Sequence, residues 1–328
     1  MKAAVVHEWG QQPAYTDFPD PQPPEDAVGA EVATVEASAL TNLTRAVISG
    51  KHYSSMETRL PAIAGVDGVA RLADGRRVYT GAIAPYGLMA ERTIVYPAGA
   101  VEVPEHVDSV TAAAIPNPGL SAWLALSYAA AVQPGQHVLV LGGTGVTGSL
   151  AVQLAKSVFG AEHVTVAGRN AERLAWLRTV GADDVIALGS DDLTEHVIAQ
   201  HTKRPFDAVL DYLWGSPAEQ TLNALAASHS SAHFHGTRFV QIGAMTGETV
   251  SVNASTLRST GITLCGVGIG SVPPESLLQA RTEALPKLFA MVESRDLHLQ
   301  TLSRPLADIE TVWAASEPSG VRVVVTPQ

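Results

Sequence analysis

Residues 137–148, HVLVLGGTGVTG, run from an unbroken apolar stretch straight into glycines at 143, 145 and 148. Few folds need that combination. It reads as a buried strand that turns directly into a helix, with Gly143 permitting the tight bend and Gly145 letting a pyrophosphate approach bare backbone. Gly148 would then let the helix pack close to its strand. The helix N-terminus so produced faces an anion, and Thr144, Val146 and Thr147 in the same turn count among the expected cofactor contacts. The pattern points to dinucleotide binding; a flavodoxin-like or other doubly wound sheet with a glycine-rich turn is the alternative reading.

The flanking chain supports a βαβ unit. Val138–Leu141 is the continuous apolar run of a parallel strand covered on both faces, and Leu150, Ala151, Leu154, Ala155, Val158 and Phe159 recur at helical spacing. A second strand is expected at 163–167, followed by Gly168, Arg169 and a helix over 172–180. Further strands are expected at 184–187, 207–211, 239–242 and 262–267, which makes six, the number of a doubly wound sheet. Residues 1–121 have a different texture, with short β-like runs (AAVV, 29–35, 69–72, 92–95) between Pro and Gly, so they read as a mainly β domain. PDPQPPED at 19–26 reads as a rigid surface connection. A helix over 307–315 and a strand over 321–326 fall outside the six-strand set, so the chain is expected to return to the first domain at its end. The active cleft is then expected between the two domains.

Composition excludes several function classes. The formal net charge is −11 with no basic run to offset it, which opposes binding to nucleic acid or anionic lipid. A single cysteine, Cys265, rules out an internal disulfide and any multi-cysteine metal cluster, and suits a reducing cytoplasm. No stretch approaches the roughly 20 apolar residues of a membrane helix, so a soluble, cytoplasmic protein with a small-molecule partner is expected.

Several blocks, in order and nearly end to end, resemble the medium-chain dehydrogenase/reductase superfamily, in its zinc-independent quinone oxidoreductase (zeta-crystallin-like) branch. They are MKAAVV, SALTNLTRAVISGKHY (38–53), IAGVDGVA (63–70), AAAIPNPGLSAWLAL (112–126), VLVLGGTGVTGSLAVQLAK (138–156), VGADDVI (180–186) and SGVRVVVTP (319–327). The resemblance implies an α/β protein, with a Rossmann doubly wound parallel sheet (122–289) inserted in a mainly β, GroES-like catalytic domain (1–121 and 290–328). Zinc-dependent members place Cys, His and Cys or Asp at the metal. In the matching places this chain has a cysteine-free region around Thr41, then Val66 and Asn117, none of them a good zinc ligand. By the resemblance Asn117 falls near the cleft, with bonding within a PNPG turn as the other reading, and Asp67, which resembles the family acid after the zinc histidine, reads as pairing with a buried base or capping a turn. Without a Lewis acid, hydride delivery to an electron-poor acceptor is the expected chemistry: a quinone first, and an enone or enal C=C bond as the alternative. A catalytically weak NADPH-binding sensor or structural protein is the third reading.

NAD-preferring sites carry Asp or Glu about 20 residues past the glycines; this chain has Gly168, Arg169 and Asn170 there. Arginine cannot accept the ribose hydroxyl bond but can clamp a 2′-phosphate, and Arg173 adds a second charge, so NADPH is expected. The resemblance places adenine or ribose contacts at Asp211 and Tyr212. Gly243 and Ala244 should pass the nicotinamide ribose, and the turn containing Gly266 and Gly268 should lie near the nicotinamide. It also points to 41–53 for chemistry: Thr41, where relatives commonly have Asn, then Asn42, with Tyr53 as best candidate for hydrogen-bond donor and His52 as its competitor. His229, His233 and His235 (SHSSAHFHGTR) read as a solvated loop with no nearby carboxylate, so no metal is expected. The apolar run ITLCGVGI (262–269) is the expected edge strand of a homodimer, with Cys265 inert within it.

Overall fold

The computed structural model describes the chain except residues 24–26, 52–54, 56–58, 229–233 and 328. It forms two compact units, Met1–Asn117 with Arg281–Gln328, and Pro118–Ala280.

The first unit contains β1 (Lys2–Val6), β2 (Ala14–Asp17), β3 (Glu31–Ala39), β4 (Ala62–Ile63), β5 (Asp67–Arg71), β6 (Arg77–Gly81), β7 (Arg92–Val95) and β8 (Val101–Glu102). Helices α1 (Asn42–Ile48) and α2 (Ser109–Ala114) accompany them, and α3 (Pro116–Leu124) leads into the second unit. PNPG at 116–119, read from sequence as a turn, is instead the start of α3, because proline in the first turn of a helix forgoes an N–H that has no partner there.

The second unit alternates strands and helices: β9 (His137–Leu141), α4 (Val146–Ser157), β10 (His163–Gly168), α5 (Ala171–Thr179), β11 (Asp184–Ala187), α6 (Leu193–Lys203), β12 (Ala208–Asp211), α7 (Gly215–Ala227), β13 (Thr237–Gln241), α8 (Ala254–Ser259), β14 (Ile262–Gly266) and α9 (Pro274–Gln279). All six strands pair in parallel, in the order β11-β10-β9-β12-β13-β14. This is the doubly wound order, and its reversal point lies between β9 and β12, where ligands bind beyond the strand C-termini. The central strands carry apolar runs because both of their faces are covered. Leu139, Leu141, Val209 and Phe239 pack with Leu193 and Val197 of α6 and Ala218 and Leu222 of α7. Their alternate neighbours Val138, Val140, Leu210 and Val240 are buried too.

The chain then adds α10 (Leu285–Glu293), β15 (Gln300–Pro305), α11 (Ile309–Ala314) and β16 (Val321–Thr326) to the first unit. β16 runs antiparallel to β3, with Val324 opposite Ala39, and completes a seven-stranded sheet. One core joins the two segments of this unit: Ala4, Val6, Leu40 and Met89 from the first with Leu306, Ile309, Val323 and Val325 from the second.

Candidate active site

The glycine turn sits at the reversal point of the sheet. Its left-handed residue is Gly142, at φ +83°, and not Gly143, which the GxGxxG spacing singles out for the bend. Gly143 is required for a different reason: a β-carbon there would lie 2.3 Å from Cγ1 of Val166 in β10. A β-carbon on Gly148 would come within 2.5 Å of the Gly142 carbonyl oxygen, so α4 is held directly against the turn. Gly145, the N-cap of α4, is different. The nearest atom to a β-carbon there is the Gly142 oxygen at 3.4 Å, and no side chain caps the helix. The first amides of α4 lack carbonyls of their own turn, and Gly145, Val146 and Thr147 are half-exposed around them. A helix start of this kind can receive an anion.

The ends of β10 and β12 close on this turn, and those of β13 and β14 follow beside β12. Gly168 at the end of β10 abuts Thr144, whose Cγ2 would be 2.4 Å from a β-carbon on Gly168. Leu213, beyond β12, closes on Gly142, with its Cδ2 2.9 Å from that glycine's would-be β-carbon. Gly243 lies against the Tyr212 carbonyl, and the Gln241 side chain donates to the Gly243 oxygen at 3.1 Å. Gly266 ends the next strand over, its own would-be β-carbon 3.6 Å from Gln241 Oε1. Ala244 and Gly268 are exposed on the loops that follow.

The two arginines differ in setting. Arg169 is exposed, with no hydrogen bond or ion pair among the described residues. Arg173 is buried, with its guanidinium 4.2 Å from the Trp176 ring centre, and its Nε and Nη1 have no hydrogen-bond partner among the described residues. Burial pulls its pKa down. Asn170 caps α5, its side chain accepting the Arg173 N–H at 3.0 Å.

Asp211 closes β12 in full burial. Oδ1 accepts the N–H groups of Leu213 (2.8 Å) and Trp214 (3.0 Å), while Oδ2 has no partner among the described residues. Burial, only partly offset by those two bonds, lifts its pKa to about 6. The Tyr212 hydroxyl is buried and without a partner among the described residues, and burial raises its pKa. Trp214, which sequence reasoning missed, has φ +58° and ψ −164°. That region is essentially reserved for glycine and costs a bulkier residue about 1–3 kcal/mol. The strain is held by the bond to Asp211 and by Thr246, whose hydroxyl donates to the Trp214 oxygen at 2.7 Å.

In the first unit, Thr41 is buried and caps α1, with Oγ1 accepting the Thr44 N–H at 3.0 Å and sharing a second 3.0 Å bond with the Thr44 hydroxyl. Asn42 is exposed at the head of the same helix, while His52 and Tyr53 lie outside the described residues. Asp67 is not a turn cap: Oδ2 accepts the Tyr79 hydroxyl at 2.6 Å and Oδ1 has no partner among the described residues. Burial raises its pKa to about 6, against the pull of the Tyr79 bond and the Arg322 charge. Arg322, also buried, donates to the Leu40 carbonyl at 2.9 Å, which fixes the residue next to Thr41. Val66 and Asn117 are half-buried.

His229 and His233 fall outside the described residues, but His235 is not simply solvated. Its Nε2 lies 3.1 Å from the Phe206 carbonyl and 3.5 Å from Asp207 Oδ1, so a carboxylate does stand near it. Among the described residues no group of three or more His, Cys, Asp or Glu could hold a metal ion. Nor is any helix among them long and apolar enough to cross a membrane.

Known proteins resemble this chain over its whole length. Residues 146–285 match the family described as zinc-binding dehydrogenase. A probable NADPH-dependent quinone reductase of Emericella nidulans is 25% identical in an alignment of 370 positions that spans 100% of both chains. The quinone oxidoreductase of Thermus thermophilus, solved also with NADPH, is 28% identical with a TM-score of 0.77, covering 99% of this chain and 100% of that one. The quinone oxidoreductase of Pseudomonas syringae pv. Tomato DC3000 shares the fold, with a TM-score of 0.81 at 23% identity over 99% of each chain. The sheet order, the glycine turn and these likenesses support placing the chain with the medium-chain dehydrogenase/reductase superfamily of oxidoreductases, in its quinone oxidoreductase branch.

Proposed function

We propose that this chain is an NADPH-dependent oxidoreductase that passes hydride to a quinone without the help of zinc. The observation that carries this reading is the open glycine turn with two arginines just beyond the neighbouring strand and no acid in their place. NADPH, when bound, supplies the hydride. The unit Pro118–Ala280 would hold it. The first-turn amides of α4, with Thr144 and Thr147, receive the pyrophosphate, and Gly168, Arg169, Asn170 and Arg173 receive the 2′-phosphate end. Nε and Nη1 of Arg173, which have no hydrogen-bond partner among the described residues, fit that task, since no carboxylate among those residues bonds the guanidinium. Asp211 and Tyr212 serve the ribose side, and Gly243, Ala244, Gly266 and Gly268 leave room for the nicotinamide half.

For the acceptor, the GroES-like unit offers Thr41, Asn42 and either Tyr53 or His52 as groups that bond a carbonyl oxygen and supply a proton. Thr41, Val66 and Asn117 give no zinc ligand set, so an acceptor already electron-poor suits the chain. The quinone reductases and oxidoreductases among its relatives support that choice.

The test follows NADPH absorbance with a benzoquinone or a simple enone, in wild type and Arg169→Ala, with and without a chelator. Chelator-insensitive quinone turnover, with a raised KM for NADPH in the variant, is expected. Turnover of the enone alone would move the assignment to C=C reduction, and NADPH binding without any turnover would make the chain a binding protein.

A further inference from the structure

We infer that Arg45 is a positioning residue for the acceptor: its guanidinium fixes the roll of α1 and, with it, the stance of Thr41 and Asn42. This rests on the reading above, in which those two residues serve the acceptor. Helix α1 has 7 residues and buries only Thr44 and Ile48. So short a helix does not hold itself in water, and contacts from elsewhere in the first unit set its place. Several of them reach its ends. At the head, Arg322 of β16 donates to the Leu40 carbonyl at 2.9 Å. At the tail, the Gly10 N–H donates to the Ile48 oxygen at 2.9 Å and the Ser55 hydroxyl to the Val47 oxygen at 2.7 Å. Fixed ends still permit rotation about the axis, and Thr44 and Ile48, four residues apart, resist it along one stripe.

Arg45 stands about 100° round the helix from that stripe, and its partners come from the end of the chain. Nη1 donates to the Trp313 carbonyl of α11 at 2.7 Å, Cζ lies 5.0 Å from the Trp313 ring centre, and Nη2 lies 3.6 Å from Glu317 Oε1. Trp313 packs on the core that Ile309 and Val312 of its own helix share with Leu40 and Ile48, so the far side of this clamp is anchored. A planar guanidinium that bonds a carbonyl and covers a ring at once accepts one orientation, which an ammonium would not enforce. Asn42 precedes Arg45 by three residues, which makes the two neighbours on the helix surface. A roll released at Arg45 would therefore shift Asn42 and the Thr41 cap before it. Displacing a hydrogen-bond donor weakens the transition state more than it weakens binding.

The experiment follows reduction of a benzoquinone by NADPH in wild type, Arg45→Met, Arg45→Lys and Glu317→Gln, with calorimetric NADPH binding, thermal melts and hydrogen exchange at the Thr44 amide. Methionine keeps the alkyl packing and removes the charge and its bonds. In Arg45→Met, kcat should fall about tenfold, while KM for the quinone and Kd for NADPH stay within about twofold. Arg45→Lys, which keeps a donor for the Trp313 carbonyl, should recover to within about threefold of wild type. Glu317→Gln should match wild type, its ion pair being long and partly exposed. Exchange at the Thr44 amide, which donates to the Thr41 hydroxyl, should quicken most in Arg45→Met. An unchanged kcat in Arg45→Met, an equal loss in Glu317→Gln, or a fall in NADPH affinity and melting temperature in step with kcat would overturn the inference and leave the quinone reading intact. A wild type that binds NADPH and reduces no quinone would overturn that reading, and Thr44 exchange unaltered by Arg45→Met would overturn the inference on its own.

Discussion

Val166 fills the space in which Gly143 would carry a side chain, its Cγ1 2.3 Å from that position. The glycine turn is therefore shaped by its neighbouring strand as well as by its own backbone. Gly143→Ala should cost about 1–3 kcal/mol of stability from overpacking. Adding Val166→Ala should return part of that loss, so that the double variant is less destabilised than the sum of the two singles. Urea unfolding of the four proteins in the cycle measures the coupling.

Arg173 bears a buried guanidinium with two nitrogens that lack a hydrogen-bond partner among the described residues. Replacing it with methionine removes that unsatisfied charge while keeping much of the packing over Trp176. The ligand-free Arg173→Met protein should be as stable as wild type or more stable by about 1–2 kcal/mol, yet bind 2′,5′-ADP more weakly. Arg169→Ala, at an exposed site, should weaken the ligand with no change in melting temperature. A thermal melt beside a binding isotherm separates the two behaviours.

Asp211 gives stability a definite pH slope. Its folded-state pKa of about 6 lies above the ordinary 3.8, so the fold favours the neutral acid. That contribution is complete below pH 3.8 and is lost as the pH rises through 6, on the order of 2–3 kcal/mol. Asp67 works in the same direction. His137 opposes them: burial lowers its pKa from 6.5 to about 4, so its contribution is present above pH 6.5 and is lost as the pH falls through 4. Between pH 4 and 6, Asp211→Asn should therefore gain stability relative to wild type with rising pH, and His137→Gln should gain with falling pH. Chemical denaturation across that range reads both slopes.

Tyr79 is the donor that offsets the burial of Asp67. Tyr79→Phe should cost about 1.5–3 kcal/mol at pH 7, where Asp67 is ionised, and less at pH 4, where it is not. Equal loss at both values would mean that the hydroxyl stabilises by packing alone.

β14 is the free edge of the six-stranded sheet, and its residues are half-buried or exposed. We propose that two copies of the chain pair there. Light scattering should give about twice 34.3 kDa, and a proline at Leu264, within the strand, should return the mass to that of one chain.

The strands of the second unit were legible because a parallel strand buried on both faces is written as a continuous apolar run; all six lie where the runs are, with ends moved by two residues or fewer. Short members of the other sheets, such as β4 and β8 with two residues each, carry no such run. At the site, the glycine spacing located the turn but not the residue with the left-handed backbone, since Gly142 precedes the motif and the spacing constrains only positions from 143 onward. Trp214 was invisible for the opposite reason: nothing in a tryptophan announces a glycine-like backbone, and only the Gly215 beside it, also at φ +58°, hinted at an unusual corner. The burial of Arg173 follows from a helix face shared with Leu174 and Leu177, which polarity alone misreads. The partners of His235 lie 28 or more residues away in sequence, beyond the reach of local patterning.

The pairing of β16 with β3 sets an order of assembly on the ribosome. The second unit is one continuous segment and can complete its sheet as soon as Ala280 has emerged. The first unit cannot: Ser38 and Ala39 keep an open edge, and the Leu40 carbonyl lacks its arginine, until residues 321–326 have been made. The portion of the protein translated first is thus the last to finish folding. During that interval the Ser38–Ala39 stretch of β3 stays unpaired, and shortening the chain before Val321 would make that exposure permanent.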